Sequence, residues 1–296
     1  KKYAKDWEPT LFETENPRFS ADKTRVCGKI FVLDEDINKN GKIDIDDLKW
    51  DYLNGDGDFR SKEVCALRDE ADIIITNPPF SLFREFLTWI MDANKHFLII
   101  GNMNAITYKE VFPLIKDNKI WMGSSYFNGG AAYFIGDKSY FNPSMISCEK
   151  NAYIQNDVLY WRVNGVRWFT NLDHGRRHQP MQLMTEADNI KFSRHKEIKG
   201  IGYAHYDNYD AIEVPYADAI PSDYEGIMGV PISFMDKYCP EQFEIIWRGG
   251  DIDWAEKECD FYTPTLADKA KQYRAADKTW RIQNPYILIN GKPQTI

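Results

Sequence analysis

One short segment limits the fold more than any other in the chain. Asp72-Ile73-Ile74-Ile75-Thr76 is apolar and β-branched, and it ends at Asn77-Pro78-Pro79-Phe80. The run is too short for a helix and has no polar alternation, so it reads as a strand buried on both faces, as in a parallel sheet covered by helices. Two consecutive prolines then fix φ and remove two backbone donors, which ends any ladder. Ser81 is placed to cap a helix whose Leu82, Phe83, Phe86, Leu87 and Ile90 recur at helical spacing.

The same grammar repeats downstream. His96 to Ile100 reads as a second buried strand ending at Gly101-Asn102, and Thr107-Tyr108-Lys109-Glu110 has capping-box spacing ahead of Val111, Phe112 and Ile115. Pro113 either kinks that helix or restarts it. A third strand is expected over Lys119 to Met122. Strand, helix, strand, helix, strand with short connections is the pattern of a parallel α/β sheet with right-handed crossovers. Ligands of such sheets sit at the carboxyl ends of strands, where both Asn77 to Phe80 and Gly101-Asn102 fall. After Gly123 the pattern turns Gly-, Asn- and aromatic-rich, and a boundary is placed near Gly175.

Composition narrows the class. A chain of 296 residues with 43% hydrophobic residues can bury a large core. No stretch approaches the ~20 apolar residues of a membrane span, and no basic-then-apolar leader opens the chain, so a cytoplasmic protein without membrane contact is expected. The five scattered cysteines include no C-x-x-C pair and read as reduced thiols. A net charge of −8 argues against nonspecific nucleic-acid binding. Between Lys150 and Gly200, however, nine Lys or Arg stand against five Asp or Glu. Arg176, Arg177, His178, Arg194 and Lys196 in that segment are candidates for contacts to phosphates or base edges, with a solvated surface face as the alternative.

The Asn77 to Phe80 tetrapeptide also carries chemistry. The Asn77 side-chain oxygen and the Pro78 carbonyl can accept the two hydrogens of an exocyclic amine and draw its nitrogen towards nucleophilic geometry, with Pro79 fixing the turn and Phe80 able to stack on the ring. An X-Pro-Pro turn with a packed Phe is the plainer reading. The position after a buried strand and before a helix favours the first.

At this point the chain resembles S-adenosylmethionine-dependent amino-group methyltransferases, and within them the EcoRI-type adenine-specific DNA methyltransferases. The stretches that carry the resemblance include Gly55 to Ser61, Thr76 to Glu85, Ile106 to Phe112, Thr170 to Asp173, Tyr206 to Ile212 and Met228 to Ile232, collinear over about Gly55 to Ile245. The resemblance implies methyl transfer from S-adenosylmethionine to N6 of adenine in duplex DNA, with the base flipped out of the stack. N4 of cytosine is the alternative target, since the tetrapeptide suits either amine, and a non-catalytic DNA-binding remnant is the alternative outside catalysis. It further implies that Asp58 accepts from the adenine amine of the cofactor, that Phe59 packs on its ring, and that Asp56 belongs to the same loop. Duplex DNA and a restriction endonuclease of matched specificity are the implied partners. A small-residue or acidic cofactor loop after a first strand, which such a fold supplies, is not recognisable in residues 1 to 54, so the chain is expected to begin partway into the fold.

One motif competes with this reading. Asp36, Asn38, Asn40, Asp44 and Asp47 occupy positions 1, 3, 5, 9 and 12 of an EF-hand-like calcium loop with Gly41 at position 6. No other metal site is expected. A tight hairpin of Phe31 to Leu33 with Ile43 to Ile45 around Asn40-Gly41 is the alternative. The combined expectation is an α/β fold with a doubly wound, Rossmann-like methyltransferase core over residues 1–175, N-terminally incomplete, and a C-terminal DNA-recognition region over 176–296.

Overall fold

The structure is a computed structural model that describes residues 14, 17–124, 165–206 and 210–246, and of strands 132–136, 152–155, 158–163, 286–289 and 292–295 the backbone alone. The chain divides into two compact units, residues 1–75 with 81–97, and residues 76–80 with 98–296. Gly175 lies inside the second.

In the first unit, α1 (Ala21–Val26) is capped by Ser20, whose hydroxyl accepts from the Lys23 amide. Strands β1 (Lys29–Val32) and β2 (Lys49–Tyr52) pair antiparallel, with Lys29 opposite Tyr52 and Val32 opposite Lys49. Trp50, 4% exposed, meets Tyr52 edge-on at 5.3 Å. The hairpin therefore closes through a long connection, 33–48, and not as a tight turn at Asn40-Gly41 with Ile43 to Ile45 as its second strand. The second strand begins six residues further on, at Lys49 and not Ile43, because the connection closes on itself. Asp36 accepts from the Asn40 and Gly41 amides at 3.1 and 2.8 Å, and Asn38 Oδ1 accepts from the Asn40 amide at 2.9 Å. Asp47, 1% exposed, accepts from the Ile37, Asn38 and Asp44 amides at 2.8, 3.1 and 3.1 Å, and Asp44 from the Asp46 amide. Those amides hold the Asp47 carboxyl below the usual range. The calcium reading of Asp36, Asn38, Asn40, Asp44 and Asp47 gains no support, since their oxygens face the loop's own N–H groups. Among the described residues no group of three or more His, Cys, Asp or Glu side chains could hold a metal ion.

Helix α2 (Lys62–Glu70) is capped by Ser61, which accepts from the Val64 amide, and α3 spans Phe83–Asp92. The expected stripe of Phe83, Phe86, Leu87 and Ile90 is buried, as helical spacing demands. Ser81 is not its cap. Phe80–Leu82 forms a 3-10 turn, which moves the helix start to Phe83 with Leu82 at the N-cap and no side-chain bond there. Arg68 Nη1 donates to the Trp89 carbonyl at 3.0 Å and Lys95 to that of Asp69 at 2.7 Å, tying the two helix ends.

A four-stranded sheet has the order β3 (Ile73–Thr76), β4 (His96–Asn102), β9 (Val166–Thr170), β5 (Trp121–Met122). As an edge strand β3 departs from the sequence expectation of burial on both faces. Its exposure alternates, with Ile73 at 47% and Ile75 at 66%. Both β4 and β5 run antiparallel to β9, with Ile99 opposite Phe169 and Met122 opposite the same Phe169. Thus β4 and β5 are parallel to one another, yet separated by an antiparallel strand that local periodicity does not reveal. Ile99 and Phe169 are fully buried, with Ala105, Ile106, Val111, Ile115 and Ile120 also enclosed. Pro113 restarts the chain as a helix. It sits in the first turn of α4 (Phe112–Lys116), where its missing donor costs nothing, and Thr107 bonds back to the Asn104 carbonyl without capping α4.

Strands β6 (Ala132–Gly136), β7 (Ala152–Gln155) and β8 (Val158–Val163) form an antiparallel sheet in the connection from β5 to β9. Beyond β9 come α5 (Glu186–Phe192) and the parallel pair β10 (Ala211–Glu213) and β11 (Ile227–Gly229). Ile212, Val214, Ile220 and Phe234 are buried as a second core, flanked by Met181, Tyr203 and Met228. Strands β12 (Tyr286–Ile289) and β13 (Lys292–Thr295) form an antiparallel pair. Cys27, Cys65 and Cys239 are free thiols, while Cys148 and Cys259 lie outside the described residues, as does the middle of the Tyr206 to Ile212 block. Among the described residues no helix is long and apolar enough to cross a membrane.

Candidate active site

Asn77 follows the last residue of β3. Its side chain is exposed and makes no hydrogen bond with the described residues, whereas Pro78 is buried and Pro79 exposed. Phe80 opens the 3-10 turn with 41% of its surface exposed. The buried proline anchors the turn. The Asn77 amide and the Phe80 ring on either side of it are exposed.

The Asp56 to Phe59 loop, in the first unit, is internally braced. Asp56 accepts from the Asp58 amide at 3.0 Å. Asp58 Oδ1 accepts from the backbone and Nε of Arg60, both at 2.9 Å, and Oδ2 from Arg60 Nη2 at 2.7 Å. The Arg60 side chain holds the Asp58 carboxyl far below the ordinary range and is itself driven further from deprotonation. Phe59 is half-buried against Phe86 and Trp89, edge-on at 5.1 and 5.6 Å. Sequence reasoning passed over Glu63, whose carboxylate accepts from the Asn54 amide and side chain and from the Gly55 amide at 3.0, 3.1 and 3.1 Å. In the sequence a glutamate at this place is an ordinary first-turn acid of a helix.

The candidate DNA-contacting residues separate into two groups. Arg177 stacks on Trp121 at 3.8 Å, donates to Asn118 Oδ1 at 2.9 Å and lies 3.5 Å from Asp173, leaving its side chain 12% exposed. Arg176 donates to the Ser124 and Asp236 carbonyls and pairs with the Asp236 carboxylate at 3.2 Å. His178 is held between Glu241 at 2.6 Å and Asp173 at 2.8 Å, which raises its pKa, the Asp173 bond weighing most. Together with Trp121, His174 and Tyr238, the two arginines line a cavity of about 40 Å³ beside the end of β5. All three candidates make contacts within the protein. Arg194 and Lys196 are exposed, Arg194 at 79% with Asp218 as partner at 2.6 Å. His195, which lies between them in the same basic segment, stacks on Tyr216 at 3.7 Å and shares Asp218.

An α/β chain with an Asn-Pro-Pro-Phe turn at the carboxyl end of a strand has that turn where ligands of such sheets bind, and the class it falls in is that of the methyltransferases. The chain belongs to the adenine-specific methyltransferase EcoRI family, which matches residues 4–292. It is 43% identical over 248 residues to the type II methyltransferase M.EcoRI of Escherichia coli, covering 83% of this chain and 69% of that protein. The type II methyltransferases M.MgeORF184P of Mycoplasma genitalium and M.MpnI of Mycoplasma pneumoniae are 36% and 34% identical, over 57% and 60% of their lengths. No solved structure matches the chain.

Proposed function

We propose that Asn77, Pro78 and Phe80 present the target base in the site-specific methylation of DNA adenine to which family membership assigns this chain. The carrying observation is the exposed Asn77 amide, without a partner among the described residues, beside the exposed Phe80 ring at the end of β3. Asn77 Oδ1 and the Pro78 carbonyl accept the two N6 hydrogens, turning the nitrogen lone pair outwards, while Phe80 stacks on the ring. A base inside duplex DNA cannot reach such a turn, so the nucleotide is flipped out. Asn77→Ala, assayed for single-turnover methyl transfer beside cofactor affinity, tests the assignment.

The cofactor inferred is S-adenosylmethionine, which supplies an electrophilic methyl group. The described loop fits it. Asp58 is ionised and half-exposed, its Oδ2 takes one bond from Arg60, and an acceptor position remains for the adenine amine. Phe59 offers a half-buried ring and Asp56 keeps the Asp58 backbone in place. The parallel β4 and β5 support a doubly wound, Rossmann-like core, and the exposed Arg194 and Lys196 support DNA recognition by residues 176–296. The type II names of the relatives support a functional partnership with a restriction endonuclease, and a DNA substrate supports a cytoplasmic location.

A further inference from the structure

We propose that Glu63 is the positioning residue of the Asp56 to Phe59 loop, with Gly28 as its counter-support, and that together they set cofactor affinity. The proposal rests on the reading of Asp58 and Phe59 as cofactor residues.

Two glycines make this loop expensive to order. Gly57 has φ +79°, and glycine loses more conformational freedom on ordering than any other residue. A loop of this composition stays loose unless something outside it fixes its backbone, and two elements do so. From the first turn of α2, Glu63 accepts three N–H groups on the consecutive residues Asn54 and Gly55. The Asn54 and Gly55 amides keep its carboxyl ionised by lowering its pKa. From the start of β1, the Gly28 amide donates to the Gly55 carbonyl at 2.8 Å, and the Gly28 carbonyl accepts from the Leu53 amide at 2.9 Å. A Cβ at Gly28 would lie 2.9 Å from both Cα and N of Gly57, and backbone atoms cannot yield as a side chain would. Position 28 is therefore closed to any side chain while the loop keeps this shape. Asp58, three residues beyond the clamped Gly55, inherits its orientation. A binding group held before its ligand arrives avoids the ordering cost on association.

The test is titration calorimetry of the full chain with S-adenosylmethionine, beside thermal unfolding and DNA affinity, for Asp58→Ala, Glu63→Ala, Glu63→Gln and Gly28→Ala. Losing the clamp is expected to raise the cofactor Kd about tenfold or more in Glu63→Ala. Glu63→Gln, which retains one carbonyl acceptor, should recover part of that loss, and Gly28→Ala should weaken the cofactor with DNA affinity unchanged. In turnover, KM for the cofactor should rise more than kcat falls. If Gly28→Ala does not fold, the Glu63 pair carries the test. Should Asp58→Ala bind the cofactor as the parent does, the assignment of Asp58 fails. Should Asp58→Ala weaken binding while Glu63→Ala does not, the clamp is refuted. Equal cofactor loss in Glu63→Ala and Glu63→Gln, matched by equal loss of DNA affinity and thermal stability, also refutes it by making Glu63 merely structural.

Discussion

Replacing Arg177 by Ala should destabilise the protein and leave the salt dependence of DNA binding intact. The guanidinium lies 3.8 Å over Trp121 and its side chain is 12% exposed, so the cation–π contact is partly desolvated and worth about 1–2 kcal/mol. The bond to Asn118 Oδ1 adds about 1 kcal/mol. The 3.5 Å approach to Asp173, a carboxylate 63% exposed, adds between nothing and about 1 kcal/mol. A loss of roughly 2–4 kcal/mol follows, and at about 2–4 °C per kcal/mol for a chain of this size, Tm should fall by roughly 5–15 °C. The assays are thermal unfolding by circular dichroism and DNA affinity from about 50 to 200 mM salt. A phosphate contact would flatten the slope of log K against log salt by about 0.9 and barely move Tm. Arg177→Ala with an unchanged Tm and a slope lowered by about one unit would refute the assignment of Arg177 to the interior.

The converse holds for Arg194→Ala with Lys196→Ala, which should lower the salt slope by about one to two units with little change in Tm, and an unmoved slope would exclude them from the interface. Asn77→Ala should slow single-turnover methyl transfer by about 10²–10³ with cofactor affinity retained, and an undiminished rate would remove Asn77 from the reaction. Phe169→Ala, emptying a fully buried site opposite both Ile99 and Met122, should cost about 3–5 kcal/mol by denaturant unfolding. His178 has a raised pKa, so the stability it lends is fully present below its unfolded value and is lost as pH rises through the higher folded value. The lowered pKa values of Asp173 and Glu241 give the opposite limit, a contribution lost in acid. The Tm difference between the parent and His178→Gln should therefore shrink from about pH 6 to about pH 9, and a constant difference would show that the His178 charge is irrelevant.

Much of the central architecture was legible because it is written locally. The β-branched run into Asn77, the stripe from Phe83 to Ile90 and the strand from His96 all follow from neighbours within a few residues. What escaped depends on partners distant in sequence. Nothing near Val166 to Thr170 says that it enters between β4 and β5, since strand pairing is settled by the register of remote chains. Exposure of Ile73 and Ile75 shows that no described element covers the face of β3 they share, which an unbroken apolar run does not reveal. Arg176 and Arg177 look like phosphate ligands by residue type, and residue type alone could not show their contacts with Trp121 and Asp236. At the candidate site the Asn77 to Phe80 turn was readable because proline leaves few alternatives. The role of Glu63 was hidden because a helix-start acid is common for reasons unrelated to any ligand.

The insertion of β9 between β4 and β5 has a consequence for the order in which the protein forms. Ile99 and Met122 both await Phe169, so neither β4 nor β5 can complete this part of the sheet until the whole of 123–165 has been synthesised. Contacts of such sequence separation are slow to close and leave unpaired strand edges in the meantime. A nascent chain halted within that stretch would carry β4 with one edge unpaired and β5 without its partner, a state prone to self-association and a natural client for chaperones. Production of the enzyme should therefore respond to translation speed across 123–165 more than to changes on the exposed loops.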